Sequence, residues 1–315
     1  MDMISFGTVF LELVFGQLRR LPRPGQEVFT DEFAISCGGA VTSATAAAAA
    51  GVRAGLCTVL GDDVGSRLVI EHCAAAGVNL GPSLRVAGAA AGISVVLNFD
   101  GDRGFVTHVP PAAAGEPDQA GRWQEVIRRE RPAWCYLHAG GGIGPVLRTA
   151  RDLGCKIMLD TSLGDQQDVA TTIECVRLAD VFVPNADEMM MLTGAADVHA
   201  AVTAGAAWGT DLVVTRGADG ALVAPAGGPV TEVTDGVREV VVRDLTGAGD
   251  AFAGALIAAL IGGASLTEAA AAGNAAGSGA VTRLGAVGEV TGSSAIAGWP
   301  LGPAEAAWLA GGPER

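Results

Sequence analysis

Two hydrophobic periods alternate along this chain. Apolar, strand-like runs recur at Met3–Phe6, Ala54–Leu60, Trp134–Leu137, Lys156–Leu159, Val181–Val183, Leu212–Thr215 and Ala221–Ala224. Between them lie segments with helical spacing: Val41–Ala50, Ser66–Ala76, Gln119–Glu130, Pro145–Leu153, Ala170–Leu178, Ala186–Leu192 and Val198–Trp208. Strands separated by helices imply crossover connections, hence an α/β chain with a mostly parallel sheet covered by helices on both faces. In such sheets ligands bind at the carboxyl ends of the strands.

Two regions break the alternation. Residues 12–35 have little helical signal and carry Pro22, Pro24 and Gly25 in their middle. Residues 92–109 alternate around Asp100-Gly101, a hairpin turn signal. Both read as strands outside the main sheet, together forming a small β lid. The expected organisation is one domain over residues 1–292, with the lid inserted, and a Gly-, Pro- and Ala-rich peripheral tail over 293–315.

Composition narrows the function. The net charge is −14 and Lys156 is the single lysine, so no basic face for nucleic acid is expected. An acidic protein repels a polyphosphate at long range, so any nucleotide needs local donors and a divalent cation. The six cysteines show no C-x-x-C spacing, which favours reduced core thiols in a cytoplasmic protein over metal or disulfide frameworks. Met1-Asp2-Met3-Ile4 has no basic stretch before its apolar run, so no signal peptide is read. Residues 251–276 are Ala- and Gly-rich but interrupted by Glu268 and Asn274, and read as two buried helices, with no membrane span.

Chemistry concentrates in Asp244-Leu245-Thr246-Gly247-Ala248-Gly249-Asp250-Ala251-Phe252. Val240-Val241-Val242 before it reads as a strand, and the apolar run after it as a helix. A glycine turn into a helix N-terminus leaves amides unpaired and aims them, with the helix dipole, at one point suited to an anion. Asp250 in the first turn could take a proton from an attacking hydroxyl, and the dipole is expected to lower its pKa. Asp250 also fits an ordinary helix cap.

Three further stretches precede it in order: Gly38-Gly39-Ala40-Val41-Thr42-Ser43-Ala44, Asn185-Ala186-Asp187-Glu188, and Val213-Val214-Thr215-Arg216-Gly217-Ala218-Asp219-Gly220. In that order and spacing the chain resembles the ribokinase-like (PfkB) carbohydrate kinases from about Met3 to Gly288. The resemblance implies a three-layer α/β/α fold with a β-sheet lid over the sugar, and Mg-ATP as phosphate donor. It implies that Asp250 is the catalytic base and that Gly247, Ala248 and Gly249 form the anion hole. Thr215, Gly217 and Gly220 become the nucleotide turn, with Asn274 an adenine-side contact. Asn185 and Glu188 match an N-x-x-E element tied to phosphate and Mg²⁺, although the pair also fits a capping box. Asp244 would be the side-chain ligand of a monovalent cation such as K⁺, and Gly38 and Gly39 would let the backbone approach sugar hydroxyls. A homodimer through the lid is a further implication.

The departures from the family pattern lie on the acceptor side. Thr42 stands where members usually carry an asparagine, Glu12 where an aspartate grips two hydroxyls, and Asp160-Thr161-Ser162 where many show D-x-N. His138 is expected near the acceptor pocket. The expected acceptor is an uncharged small sugar. A nucleoside kinase is the alternative, since Phe10, Phe15, Phe29, Phe33, Phe99 and Phe105 fall in or beside the lid. A sugar-phosphate kinase would need the lid arginines Arg19, Arg20, Arg23 and Arg103. A dinucleotide-binding oxidoreductase, suggested by Gly140-Gly141-Gly142-Ile143-Gly144, fails the G-x-G-x-x-G spacing at Pro145. No P-loop motif is present.

Overall fold

The computed structural model describes residues 1–99, 102–110, 119–161 and 168–288. The expected Asp100-Gly101 turn, Ser162 and the tail 293–315 lie outside the described residues. In chain order the first elements are β1 (Met3–Phe6), β2 (Val9–Leu18), β3 (Glu32–Gly39), α1 (Ala40–Ala49), β4 (Ala54–Cys57), β5 (Val59–Leu60), α2 (Val64–Ala76), β6 (Leu84–Arg85), β7 (Gly92–Phe99) and β8 (Asp102–His108). Next come α3 (Gln119–Glu130), β9 (Trp134–His138), α4 (Gly144–Asp152), β10 (Lys156–Asp160), α5 (Val169–Val176), β11 (Val181–Phe182), α6 (Ala186–Thr193) and α7 (Val198–Gly205). The last are β12 (Asp211–Thr215), β13 (Ala221–Ala224), β14 (Thr231–Val233), α8 (Ala248–Ile261) and α9 (Leu266–Ala280).

The main sheet runs β14-β13-β12-β11-β10-β9-β1-β4. It is parallel from β4 to β12, and β13 and β14 add to it antiparallel. Successive side chains of a strand point to opposite faces, and here both faces are buried. On β9, Cys135 and Leu137 join the core cluster that also takes in residues of α3 to α7. Tyr136 joins the opposite cluster, which includes Phe252, Leu256 and Ile257 of α8. That two-sided burial is why the strands read as apolar runs instead of alternating ones.

The small residues of α1, α8 and α9 are explained by contact distance. A Cβ at Gly254 of α8 would lie 2.7 Å from the Ala47 nitrogen of α1, and one at Gly273 of α9 would lie 2.8 Å from the Phe252 ring. Backbones this close require glycine.

The lid forms as a separate four-stranded sheet, β3-β2-β7-β8. Its register sets side chains in cross-strand rows. Ser36, Glu12, Ser94 and Thr107 form one row, and Ala34, Val14, Val96 and Phe105 the next on the same face. Glu12, Ser94, Val14 and Val96 are buried, so this face looks inward. The opposite face carries Leu13, Phe15 and Leu97, half-buried, and Ile93 and Val106, exposed.

One expected strand does not form. Val240–Val242 has no ladder partner, and Val241 and Val242 are exposed. Its β-branched composition suits a strand, but β14 already occupies that edge of the sheet, so the segment runs as irregular chain along a cleft. The short β14 was not anticipated.

Candidate active site

The turn into α8 is shaped by Gly247, which caps the helix with φ of 77°. A Cβ there would fall 2.6 Å from the Ala286 backbone, so both conformation and space demand glycine. The amides of Gly247 and Gly249 make no backbone hydrogen bond among the described residues. They are two of the three donors expected at this helix N-terminus; the Ala248 amide donates instead to the Leu245 carbonyl at 3.3 Å.

Asp250 is half-buried beside them. Its carboxyl is pushed well above the usual carboxylate range, first by burial, then by the like charges of Asp160 and Glu12; its own amide and Arg103 pull the other way. The expected lowering by the helix dipole is therefore overturned. A dipole contributes a fraction of a charge, while desolvation and two carboxylates act together in the opposite sense.

Beneath Asp250, the ends of β9 and β10 bring three polar side chains together. Tyr136 Oη donates to Asp160 Oδ2 at 2.7 Å, and the Thr161 amide donates to Oδ1 at 2.7 Å. His138 pairs with Asp160 across the strands and meets the Tyr136 ring edge-on at 5.8 Å. Burial raises the Asp160 pKa against the pull of His138 and Tyr136. The Tyr136–Asp160 bond was not foreseen, because a tyrosine inside an apolar strand gives no hint of its partner.

Of the expected donor-side residues, Thr215, Gly217, Gly220 and Asn274 share one cavity of about 380 Å³ with Ala248, Gly249 and Phe252, while Asn185 and Glu188 are not among its lining residues. Gly217 and Gly220 have φ of 59° and 79°, so both positions use glycine's freedom. Asn274 lines the cavity, but its amide donates to the Val233 and Asp235 carbonyls at 3.0 and 2.9 Å. It thereby fastens the segment after β14 to α9. Val237 and Val240 add apolar wall.

Asn185 and Glu188 stand at the start of α6 as a complete capping box: the Glu188 amide donates to Asn185 Oδ1 at 2.9 Å and the Asn185 amide to Glu188 Oε2 at 2.8 Å. A bridge between Asn185 and Thr215 sets them at the nucleotide turn. Asp244 is buried, and its carboxylate accepts from the Thr246 amide at 2.9 Å, Thr246 Oγ1 at 2.6 Å and the Gly285 amide at 2.8 Å. It ties the loop before α8 to the loop after α9.

On the acceptor side, Gly38 lies beneath the Glu12 carboxylate, which a Cβ there would overlap. Gly39 caps α1 with φ of 77°. Glu12 is 6% exposed, and burial, reinforced by Asp244, pushes its pKa up to about 7 against a hydrogen bond from the Ala286 amide. Glu12 Oε2 and Thr42 Oγ1 are buried without a hydrogen-bond partner.

Residues 3–291 match the profile of the pfkB family carbohydrate kinases. The chain belongs to that family. Among solved structures, this pfkB-family chain is similar to a ribokinase from Thermotoga maritima, with 22% identity, a TM-score of 0.74, and coverage of 91% of this chain and 95% of that one. It is similar to a putative ribokinase II from E. coli in complex with ATP and Mg²⁺, at 21% identity, TM-score 0.75, and coverage of 91% and 94%. It is also similar to the Arabidopsis thaliana ribokinase complexed with ribose and ATP, at 20% identity, TM-score 0.70, and coverage of 92% and 96%. These likenesses show the ribokinase-like fold. No curated protein matches the sequence significantly.

Proposed function

We propose that this pfkB-family protein is an ATP-dependent carbohydrate kinase that transfers the γ-phosphoryl group to a hydroxyl of a small sugar. One observation carries the reading: the Asp250 carboxylate stands beside the unpaired Gly247 and Gly249 amides, with the nucleotide-side cavity next to it. In the transfer, the acceptor oxygen bonds to the γ-phosphorus as the bond from that phosphorus to the β–γ bridging oxygen breaks. ADP leaves, and the hydroxyl proton passes to Asp250. The amides stabilise the charge on the transferring group. The raised Asp250 pKa makes it a stronger base than an exposed aspartate.

Among the described residues, no three His, Cys, Asp or Glu side chains form a cation cage. Mg²⁺ keeps several waters and binds through phosphates with one or two carboxylates, so a single carboxylate at the start of α6 fits it. Glu188 is the residue we assign to it, and when bound the ion would neutralise phosphate charge. A monovalent cation would have to share Asp244 with three donors already in place, so we assign Asp244 the work of a loop clamp.

The nucleoside alternative finds less support. Phe15 and Phe33 pack together on the outer lid face, and inner-face Phe105 lies under Arg103. The outer face's Leu13, Phe15, Ile93, Leu97 and Val106 support the lid-paired homodimer, since a monomer rarely exposes a contiguous apolar patch of this kind. No helix among the described residues is long and apolar enough to cross a membrane, and six free buried thiols support a reducing, cytoplasmic setting. The test is ADP release over a panel of sugars and nucleosides, with ³¹P NMR of the product. ADP release that depends on a sugar and is lost in Asp250→Asn supports the reading; the absence of transfer to every acceptor overturns it.

A further inference from the structure

Arg103 stands on the inner face of the lid. It pairs across the strands with Asn98, which is 8% exposed, and shares that face with Phe105 and Thr107. Its guanidinium lies over the Phe105 ring, 5.8 Å from the centroid. The side chain is 31% exposed, and Nε is buried without a hydrogen-bond partner. Among the described residues its one anionic contact is Asp102, next in the chain, at 3.6 Å and 78% exposed, a geometry that contributes little. The Arg103 charge nevertheless reaches both Glu12 and Asp250, pulling each pKa down against burial. An arginine on the inner lid face whose buried Nε has no partner, laid over an aromatic ring and within electrostatic reach of two carboxylates, is set for a ligand.

The other cations on and beside the lid are placed elsewhere. Arg19 and Arg20 follow the end of β2 and are exposed. Arg243 pairs with Glu32 at 3.2 Å. His108 lies opposite Ile93 on the outward face. One guanidinium whose charge reaches Glu12 and Asp250 can balance one further negative charge and not two. A carboxylate matches it, because the Nε–Nη edge of arginine forms two parallel hydrogen bonds to a carboxylate. Two rows further along the same lid face, Glu12 Oε2 and the Ser94–Thr107 hydroxyl pair, 2.8 Å apart, offer acceptors and donors for hydroxyl groups.

The geometry points to Arg103 as the specificity residue of the acceptor site, reading a carboxylate on a polyhydroxy acid, so that the sugar this kinase phosphorylates is a sugar acid. The inference rests on the kinase reading above and replaces the uncharged acceptor expected from the sequence. It also explains why one lid arginine suffices where a phosphorylated sugar would require a cluster.

The test uses the full chain with Mg-ATP and four acceptor classes: aldonic and keto-aldonic acids, their neutral parent sugars, phosphosugars, and nucleosides. ADP release and ³¹P NMR report transfer, and thermal shift with a non-hydrolysable ATP analogue reports binding. The expected result is a kcat/KM for one sugar acid at least ~30-fold above its neutral parent, the scale of one buried charge pair. Arg103→Gln should remove that advantage mainly through KM, while leaving the thermal shift by the ATP analogue unchanged. Arg103→Lys should recover only part of it, because the fork is lost. Preferred transfer to a neutral sugar, a nucleoside or a phosphosugar overturns the inference while the kinase reading stands. An acid preference that survives Arg103→Gln also overturns it. Transfer to none of the four classes overturns both.

Discussion

The two halves of the cleft treat their polar groups in opposite ways. On the donor side, most buried polar side chains are paired within the protein, Arg216 Nε being the exception. The Asp244 carboxylate accepts three hydrogen bonds, Asn274 donates two, and Asn185 and Glu188 cap α6 for each other. The other groups left open there are backbone amides of a glycine turn. On the acceptor side, Glu12, Thr42 and Arg103 each keep a buried polar atom with no partner. A buried, unsatisfied polar atom costs about 1–3 kcal/mol, so the acceptor half stores an unfavourable term that a correctly shaped ligand relieves. On the proposed reading this is a division of labour: a largely prebuilt frame serves the phosphate chemistry, and the unpaired Glu12, Thr42 and Arg103 groups select the substrate.

The strongest way to break the comparison is at the base. Asp250→Asn should cut turnover by about 10²-fold or more with little effect on nucleotide binding, measured by ADP release and by thermal shift with an ATP analogue. Turnover like that of the wild type would remove Asp250 from the chemistry. Because the Asp250 pKa lies above the usual range, the acid limb of kcat should fall at a higher pH than for an ordinary aspartate. The rate is lost as pH drops and the carboxylate takes up its proton.

Glu12 sharpens the acceptor half through stability. Its carboxyl titrates at about 7 in the fold against 4.5 as a reference. Between those values the folded state binds more protons than the unfolded one, so stability falls as pH rises from about 4.5 to 7. The full effect is roughly 3 kcal/mol at neutral pH and above. Glu12→Gln should flatten this part of the pH dependence of Tm without ligand, and an unchanged slope would show that Glu12 is not buried as a charge.

The next effect contrasts the two sides directly. Asn274→Ala, on the saturated side, should lower stability by roughly 1–3 kcal/mol, because two buried carbonyls lose their donor. Thr42→Val, on the open side, removes a hydroxyl with no partner and should change stability by less than about 1 kcal/mol while raising the acceptor KM. Denaturant unfolding and steady-state kinetics measure both, and a large loss of stability in Thr42→Val would contradict the open-group account. The smallest expected effect is the exchange of K⁺ for Na⁺ in the assay, which should leave activity within about twofold if Asp244 only clamps its two loops, since screened surface charge alone contributes little.

Much of the fold was legible in the residues. Runs such as Met3–Phe6, Gln119–Glu130 and Ala221–Ala224 form the expected elements over those same residues, because period and two-sided burial are local properties of a sheet covered by helices. The Asp244–Phe252 turn was legible too, since glycine, a positive φ and a helix start are coupled within a few residues. Val240–Val242 failed because composition reports strand propensity and not whether a sheet edge is vacant.

The residues alone therefore determined the α/β alternation, the lid, the glycine turn and the position of Asp250, all set by short-range backbone conformation and side-chain periodicity. Only the tertiary structure decided the sign of the Asp250 shift, the saturation of Asp244 and Asn274, and the meeting of Tyr136 with Asp160. It also decided which lid arginine turns inward. Each of these depends on which charges and donors arrive from distant strands, and desolvation and pairing are properties of that assembled neighbourhood.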